Sequence, residues 1–303
     1  MEFQDFNEII SSFKEPYKLN KYSKKEITIL NKFIEELNNK IDLLNDILEK
    51  ENNHWQSSYS IDRFKKIVNN YTNYNLGKKH KFGIGNIIAI TNGDPYLHLE
   101  LIIKTVISGC RIMIISNPTL VNFNLYITQI IRDILEKEKL DRDLISFVNI
   151  MDYRSKIIEN QNVIDCIIIN KDYDEYNYFV NNLVCKTIFL DYGNINIYTD
   201  SEEYESIIEN IVKETYSVNI STYKYRINDL KSFASNENNN FIFNTAVIFS
   251  NDVNKCMDLY EIIKARNIFI NTFDINKIDI GLDINDLLFE KKIVIEDRVL
   301  RSN

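Results

Sequence analysis

Between residues 23 and 48 apolar side chains return at steps of three and four: Ile27, Leu30, Phe33, Ile34 and Leu37, then Ile41, Leu44, Ile47 and Leu48. That is the period of a helix with one buried face. Ser23 stands where an N-cap would, and Asn52-Asn53 breaks the pattern. A further short helix is predicted over 60–71. Residues 5–75 therefore read as a packed helical lead-in, with an exposed partner-binding helix as the rival.

From residue 82 the period changes. A β-branched run at 84–90 is bounded by glycines and by Asn92-Gly93-Asp94-Pro95, a strong turn signal. Residues 97–108 carry apolar positions at helical spacing and stop at Gly109, as a helix end prefers. A strand at 111–116 closes on Asn117-Pro118. A helix over 125–137, strands at 145–149 and 163–169, a helix over 173–181 and a strand at 186–190 complete this half. Strands alternating with crossover helices predict an α/β, doubly wound parallel sheet.

The remainder is less regular. A strand is predicted at 195–198 and a helix over 202–214, with Tyr204, Ile207, Ile208, Ile211 and Val212 on one face. A polar loop at 236–240 precedes a strand at 241–249, a helix at 254–265 and a strand at 268–271. A last β-like segment lies at 291–295.

Composition narrows the function classes. With 303 residues, 45% of them hydrophobic, and with 17 Phe and 18 Tyr, the chain can bury a large core. A net charge of −8 and a pI near 5.1 oppose a nucleic-acid partner. The basic run Lys78-Lys79-His80-Lys81 reads as a solvated loop. Met1-Glu2-Phe3-Gln4-Asp5 lacks the basic start of a secretion signal, and the longest apolar runs fall far short of a membrane span. The four cysteines, at 110, 166, 185 and 256, have no paired spacing, and the three histidines, at 54, 80 and 98, are scattered. This suits a cytoplasmic protein without a membrane partner and offers no metal site.

Several stretches, taken in order, resemble the aldehyde dehydrogenase superfamily, and within it γ-glutamyl phosphate reductase (glutamate-5-semialdehyde dehydrogenase). Gly85-Asn86-Ile87-Ile88-Ala89-Ile90-Thr91-Asn92 is similar to the family's first strand and the turn facing its cofactor. Ser108-Gly109-Cys110 before Ile112–Ile115 resembles its helix-to-strand passage. Asp165-Cys166-Ile167-Ile168-Ile169 and Asp191-Tyr192-Gly193-Asn194 resemble a strand and the glycine-centred entry to the catalytic domain. Asn244-Thr245-Ala246-Val247-Ile248 and Ile268-Phe269-Ile270-Asn271 resemble two returning strands, and Leu287-Leu288-Phe289-Glu290 the closing segment. The helical lead-in resembles a fatty acyl-CoA reductase branch about as well.

The resemblance implies a helical segment at 1–75, a Rossmann-like α/β cofactor domain at 76–190, a truncated second α/β lobe at 191–285 and a C-terminal strand or arm at 286–303. Relatives dimerise through such arms, so a homo- or hetero-oligomer formed through the tail strand is expected. The family's chemistry runs through a cysteine thiolate beside the nicotinamide of NAD(P). Here Val218-Asn219 stands where the reductase's Cys-Asn would, and valine cannot attack a carbonyl. Ser217 and Ser221 are close, but no histidine in this half could serve as their base. Only about twenty residues, 223–243, fill a region that is long in relatives.

The expected reading is a relative without its catalytic cysteine, used as a binding or assembly subunit. The alternative is an NAD(P)-dependent semialdehyde or acyl reductase with a relocated nucleophile, Cys185 or Cys256. Any retained NAD(P) site is expected at Thr91, Asn92, Ser116 and Asn117, on the turns after the first two strands. Gly83-Ile84-Gly85 is no dinucleotide fingerprint without a third glycine opening a helix. Asp94 would repel a pyrophosphate unless it points away.

Overall fold

The computed structural model describes residues 4–14, 25–51, 61–72, 81–116, 121–171, 173–190, 194–216, 221–226, 243–263, 265–273, 282 and 284–290. The lead-in is four helices: α1 (Phe6–Phe13), α2 (Lys25–Asn39), α3 (Ile41–Glu51) and α4 (Ile61–Thr72). Asp5 caps α1, its carboxylate accepting from the N–H groups of Asn7 and Glu8 at 2.8 and 3.2 Å. Ile29, Leu30, Phe33 and Leu37 are the buried stripe of α2: Leu30, Phe33 and Leu37 lie on it as the spacing predicts, whereas Ile27 turns out to solvent and Ile29 is buried instead.

A short strand, β1 (Lys81–Gly83), leads into β2 (Asn86–Thr91). Then follow α5 (Pro95–Ser108), β3 (Arg111–Ser116), α6 (Val121–Lys137), β4 (Ile145–Val148), α7 (Arg154–Glu159), β5 (Cys166–Asn170), α8 (Tyr173–Asn182) and β6 (Lys186–Phe189). The strands line up as β4-β3-β2-β5-β6, and every neighbouring pair is parallel. Because side chains alternate across a strand, Ile87, Ala89, Ile112, Ile114 and Ile168 face one side, where α2–α6 cover them. Ile88, Ile90, Met113, Ile115, Ile167 and Ile169 face the other, against Phe6, Ile10 and Phe13 of α1 and Phe179 of α8. Strands β2, β3 and β5 are buried on both faces, which is why they read as continuous apolar runs, whereas edge strand β6 is partly exposed.

The second lobe is smaller: β7 (Asn194–Thr199), α9 (Glu205–Tyr216), β8 (Ser221–Arg226), β9 (Phe243–Phe249), α10 (Val253–Ile262) and β10 (Ala265–Ile270). Its four strands, ordered β10-β9-β7-β8, are also all parallel. Ile208 and Ile211 of α9 join Ile195, Ile197 and Val247 in the main core. Cys256 and Leu259 of α10 pack on Tyr198, Ala246 and Ile248 on the opposite face. The chain then returns to the first lobe, where β11 (Leu288–Glu290) pairs antiparallel with β1. The buried Lys104 ammonium donates to the Leu282 carbonyl at 2.6 Å and pairs with Glu100 at 3.2 Å.

Some element boundaries differ from the sequence reading. The run 84–90 is interrupted at Gly85, whose φ of 124° only glycine adopts comfortably. The strand expected over 163–169 begins at Cys166, because Gln161–Val163 forms a 3₁₀ turn. Just before it, the Asp165 carboxylate holds the Asn86 N–H at 2.7 Å. The helix expected to run to 265 ends at Ile262, where Ala265 enters the ladder with β9. Strand β8 was not anticipated, and it falls partly in the stretch read as a bare connection. The segments 236–240 and 291–295 lie outside the described residues.

Candidate ligand cleft at the carboxyl edge of the first sheet

Strands β3, β2 and β5 end on Ser116, Thr91 and Asn170, which stand in register across the sheet. All three are buried. The order reverses at β2: the chain proceeds to β3 and β4 on one side, then returns to β5 on the other. Open α/β sheets bind ligands outside the carboxyl ends of their strands at such a reversal. Asn170 donates its amide to the Leu190 carbonyl at 2.8 Å. Among the described residues, Thr91 Oγ1 and Asn170 Oδ1 have no hydrogen-bond partner. Buried polar atoms in that condition ask for water or a ligand.

Thr91 and Ser116 line a cavity of about 70 Å³ whose wall also includes Ile90, Ile115, Met151, Tyr153 and Lys171. Met151 is 83% exposed and forms an apolar lip. Lys171 is the residue after β5, and its ammonium donates to the Tyr153 hydroxyl at 3.1 Å. It also reaches Glu175 Oε2 at 3.4 Å. Glu175, one turn along α8, is wholly buried and takes a two-pronged hydrogen bond from Arg154, at 3.0 and 2.6 Å. The Arg154 guanidinium lies over the Tyr178 ring, 4.7 Å from its centre.

The protonation states follow from these contacts. Burial works to raise the Glu175 carboxyl, but Arg154 and Lys171 outweigh it and hold it below the usual glutamate range. Burial works to lower the Lys171 ammonium, and Tyr153 and Glu175 outweigh that and hold it above the usual lysine range. The Tyr153 phenol is pushed up, mainly by burial. Two cations and one anion leave this corner with a net positive charge.

The helix N-termini opening onto the same edge carry carboxylates of the chain itself. Asp94 caps α5, accepting the Leu97 N–H at 2.8 Å, and Pro95 behind it has no N–H to offer. Asp94 thus points into its own helix. Glu51, at the end of α3, accepts the N–H groups of Asn122 and Phe123 at 2.8 Å each and the Asn122 side-chain amide at 2.7 Å. These are the positions at which a helix would otherwise greet a phosphate.

No family model matches the sequence, and no curated protein matches it. Solved structures do match the fold. A γ-glutamyl phosphate reductase from Thermotoga maritima superposes with a TM-score of 0.61 at 14% identity, over 89% of this chain and 88% of that one. An NAD-dependent benzaldehyde dehydrogenase from Corynebacterium glutamicum gives 0.70 at 10% identity, over 99% and 92%. A glyceraldehyde-3-phosphate dehydrogenase from Methanocaldococcus jannaschii, complexed with NADP, gives 0.67 at 13% identity, over 88% and 85%. The fold is that of the aldehyde dehydrogenases.

All four cysteines are free. Cys110, Cys166 and Cys256 are buried, and Cys185 is half-buried. Burial raises every one of these thiols, Cys166 to about 12. None of the four lines the cleft. Val218 lies outside the described residues, as do Asn117 and most of the basic run 78–81.

The expected cofactor residues divide. Thr91 and Ser116 meet in the cleft. Asn92 is exposed, and its side-chain oxygen accepts the Asp94 N–H at 3.1 Å, shaping the turn. Lys171, Tyr153, Arg154 and Glu175 were missed. The cation of the cleft, Lys171, follows β5 rather than the turns after the first two strands. At the carboxyl edge of the second sheet, Asp200 accepts from Ser250 Oγ at 2.8 Å and Lys255 at 2.9 Å. Asn271, at φ 51°, clasps both backbone groups of Ser250. That knot ties the ends of β7, β9 and β10 together.

No group of three or more His, Cys, Asp or Glu is placed to hold a metal among the described residues. Among them, too, no helix is long and apolar enough to cross a membrane. His98 is fully buried in α5, its Nε2 at 2.8 Å from the Thr128 hydroxyl. That hydroxyl already donates to the Asn124 carbonyl at 2.9 Å, so it accepts from Nε2–H.

Proposed function

We propose that this chain is a non-catalytic protein of aldehyde dehydrogenase fold, a binding or assembly subunit whose ligand cleft is the carboxyl edge of the first sheet. The observation that carries this is the state of its thiols. A nucleophilic cysteine works as a thiolate, in a site that lowers its pKa and lets substrate in. Here each thiol keeps its proton more firmly than a free cysteine and stands away from the cleft. The resemblance that sets Val218 at the family's cysteine position supports the same reading. Four free thiols also suit a reducing, cytoplasmic setting.

A whole dinucleotide fits the described residues poorly. The Thr91–Ser116 ledge could meet a ribose or a phosphate, but both helix N-termini beside it are filled by Asp94 and Glu51.

Incubating the purified protein with NADH or NADPH and a panel of aldehydes, acyl phosphates and acyl thioesters should give no nicotinamide oxidation. Turnover that a single Cys→Ala change abolishes would establish the reductase with a relocated nucleophile instead. Cys185, the least buried thiol, would be the first to substitute.

A further inference from the structure

We infer that the corner of the cleft formed by Lys171, Tyr153, Thr91 and Ser116 holds a single compact phosphoryl group, carried by a small phosphorylated ligand or by phosphate itself. The inference deepens the binding-subunit reading and rests on it for the location of the ligand. Its own basis is chemical.

A phosphoryl dianion calls for a positive field and several hydrogen-bond donors, in a space that excludes bulk water. Lys171 supplies the charge. Glu175 offsets it only in part, because the same carboxylate also takes both hydrogen bonds of Arg154, at 3.0 and 2.6 Å, leaving two cations to one anion. Of the three ammonium donors, one goes to Tyr153 and one to Glu175. The third has no partner among the described residues. The Thr91 hydroxyl is 2% exposed, lines the cavity and has no partner among the described residues. Buried in the floor of the cleft, such a group is costly unless something fills its hydrogen bond.

Size points the same way. About 70 Å³ admits a small cluster of waters, room enough for one phosphoryl group. The chain's own carboxylates, Asp94 and Glu51, occupy the neighbouring helix N-termini. An anion arriving at this edge is therefore directed to Lys171.

The test is thermal unfolding of the full chain against inorganic phosphate from 0 to about 20 mM, with sodium chloride matching the ionic strength, and in parallel against NAD and NADP. For millimolar affinity, phosphate should raise the melting temperature by about 3 °C. Lys171→Met should abolish that increment, and Lys171→Arg should keep most of it. Because the readout is the phosphate-dependent increment, a lower baseline in Lys171→Met from losing its contact with Glu175 does not mimic the result. No shift with phosphate, or a shift that survives in Lys171→Met, would overturn the inference. A shift with NAD or NADP at concentrations where phosphate gives none would also overturn it, in favour of a dinucleotide. Failure of these titrations would leave the absence of turnover standing, and turnover would leave the titrations to decide this point alone.

Discussion

Glu51 binds the first N–H groups of a helix 71 residues further along the chain, with one carboxylate oxygen on Asn122 and the other on Phe123, each at 2.8 Å. The contact closes the end of the lead-in onto the first lobe and satisfies donors that α6 cannot satisfy itself. Glu51→Ala should lower stability by about 1–2 kcal/mol, as loss of a charged cap does. Urea unfolding would show it as a lower midpoint with an unchanged slope. An unchanged midpoint would mean that solvent replaces the carboxylate without loss.

Gly85 offers a harsher case. At φ 124° any side chain is strained, and a Cβ there would fall on the Asp165 carboxylate that holds the Asn86 N–H. Gly85→Ala should cost about 2–4 kcal/mol through backbone strain and displacement of Asp165. Calorimetry of that variant beside the unchanged chain checks it; an unaltered melting temperature would mean that Asp165 moves aside without loss.

His98 makes stability depend on pH. Burial lowers its pKa to about 3, only partly opposed by the Asn124 carbonyl, against 6.5 when exposed. Between pH 6.5 and about 3 the unfolded chain takes up a proton that the folded one refuses. Stability attributable to His98 therefore falls with acidification, by about 1.4 kcal/mol per pH unit at most. His98→Gln, which can still donate to Thr128, should flatten the stability profile between pH 6.5 and 4.5.

Glu175 acts lower on the scale. Its folded pKa lies below the unfolded 4.5, so its contribution is complete above that value and is lost as pH falls through the folded pKa. Glu175→Gln should remove this acid-side loss and lower stability at pH 7 by about 2 kcal/mol. The figure is smaller than for a fully buried pair because Arg154 and Lys171 remain partly in water. Chemical denaturation at pH 7, 4 and 3 for both proteins checks the two effects together.

The first sheet was legible because its inner strands are covered on both faces, so Ile87–Ile90, Ile112–Ile115 and Ile167–Ile169 stand out as unbroken apolar runs. Strand β8 was not, because Ser221-Thr222-Tyr223-Lys224-Tyr225-Arg226 alternates polar and aromatic residues at the edge of its sheet. It therefore lacks the apolar core of a central strand. That Thr91 and Ser116 close their strands side by side was legible because strand ends are visible in a sequence. Tyr153, Arg154 and Glu175 were not, since their meeting depends on how α7 and α8 lie beside β5. The Glu51 contact was out of reach for the same reason: nothing local connects residue 51 to residue 122.

The pairing of β1 with β11 sets an order of events during synthesis. Lys81–Gly83 meets Leu288–Glu290 across about two hundred residues of chain, and the Ile84 N–H and Cys110 thiol both donate to the Leu287 carbonyl. A nascent polypeptide can complete the five-stranded layer long before these partners leave the ribosome. Until they arrive, the entry strand has an unpaired rim and Lys104 lacks its carbonyl, so the half-made molecule has an adhesive edge that only the late segment covers.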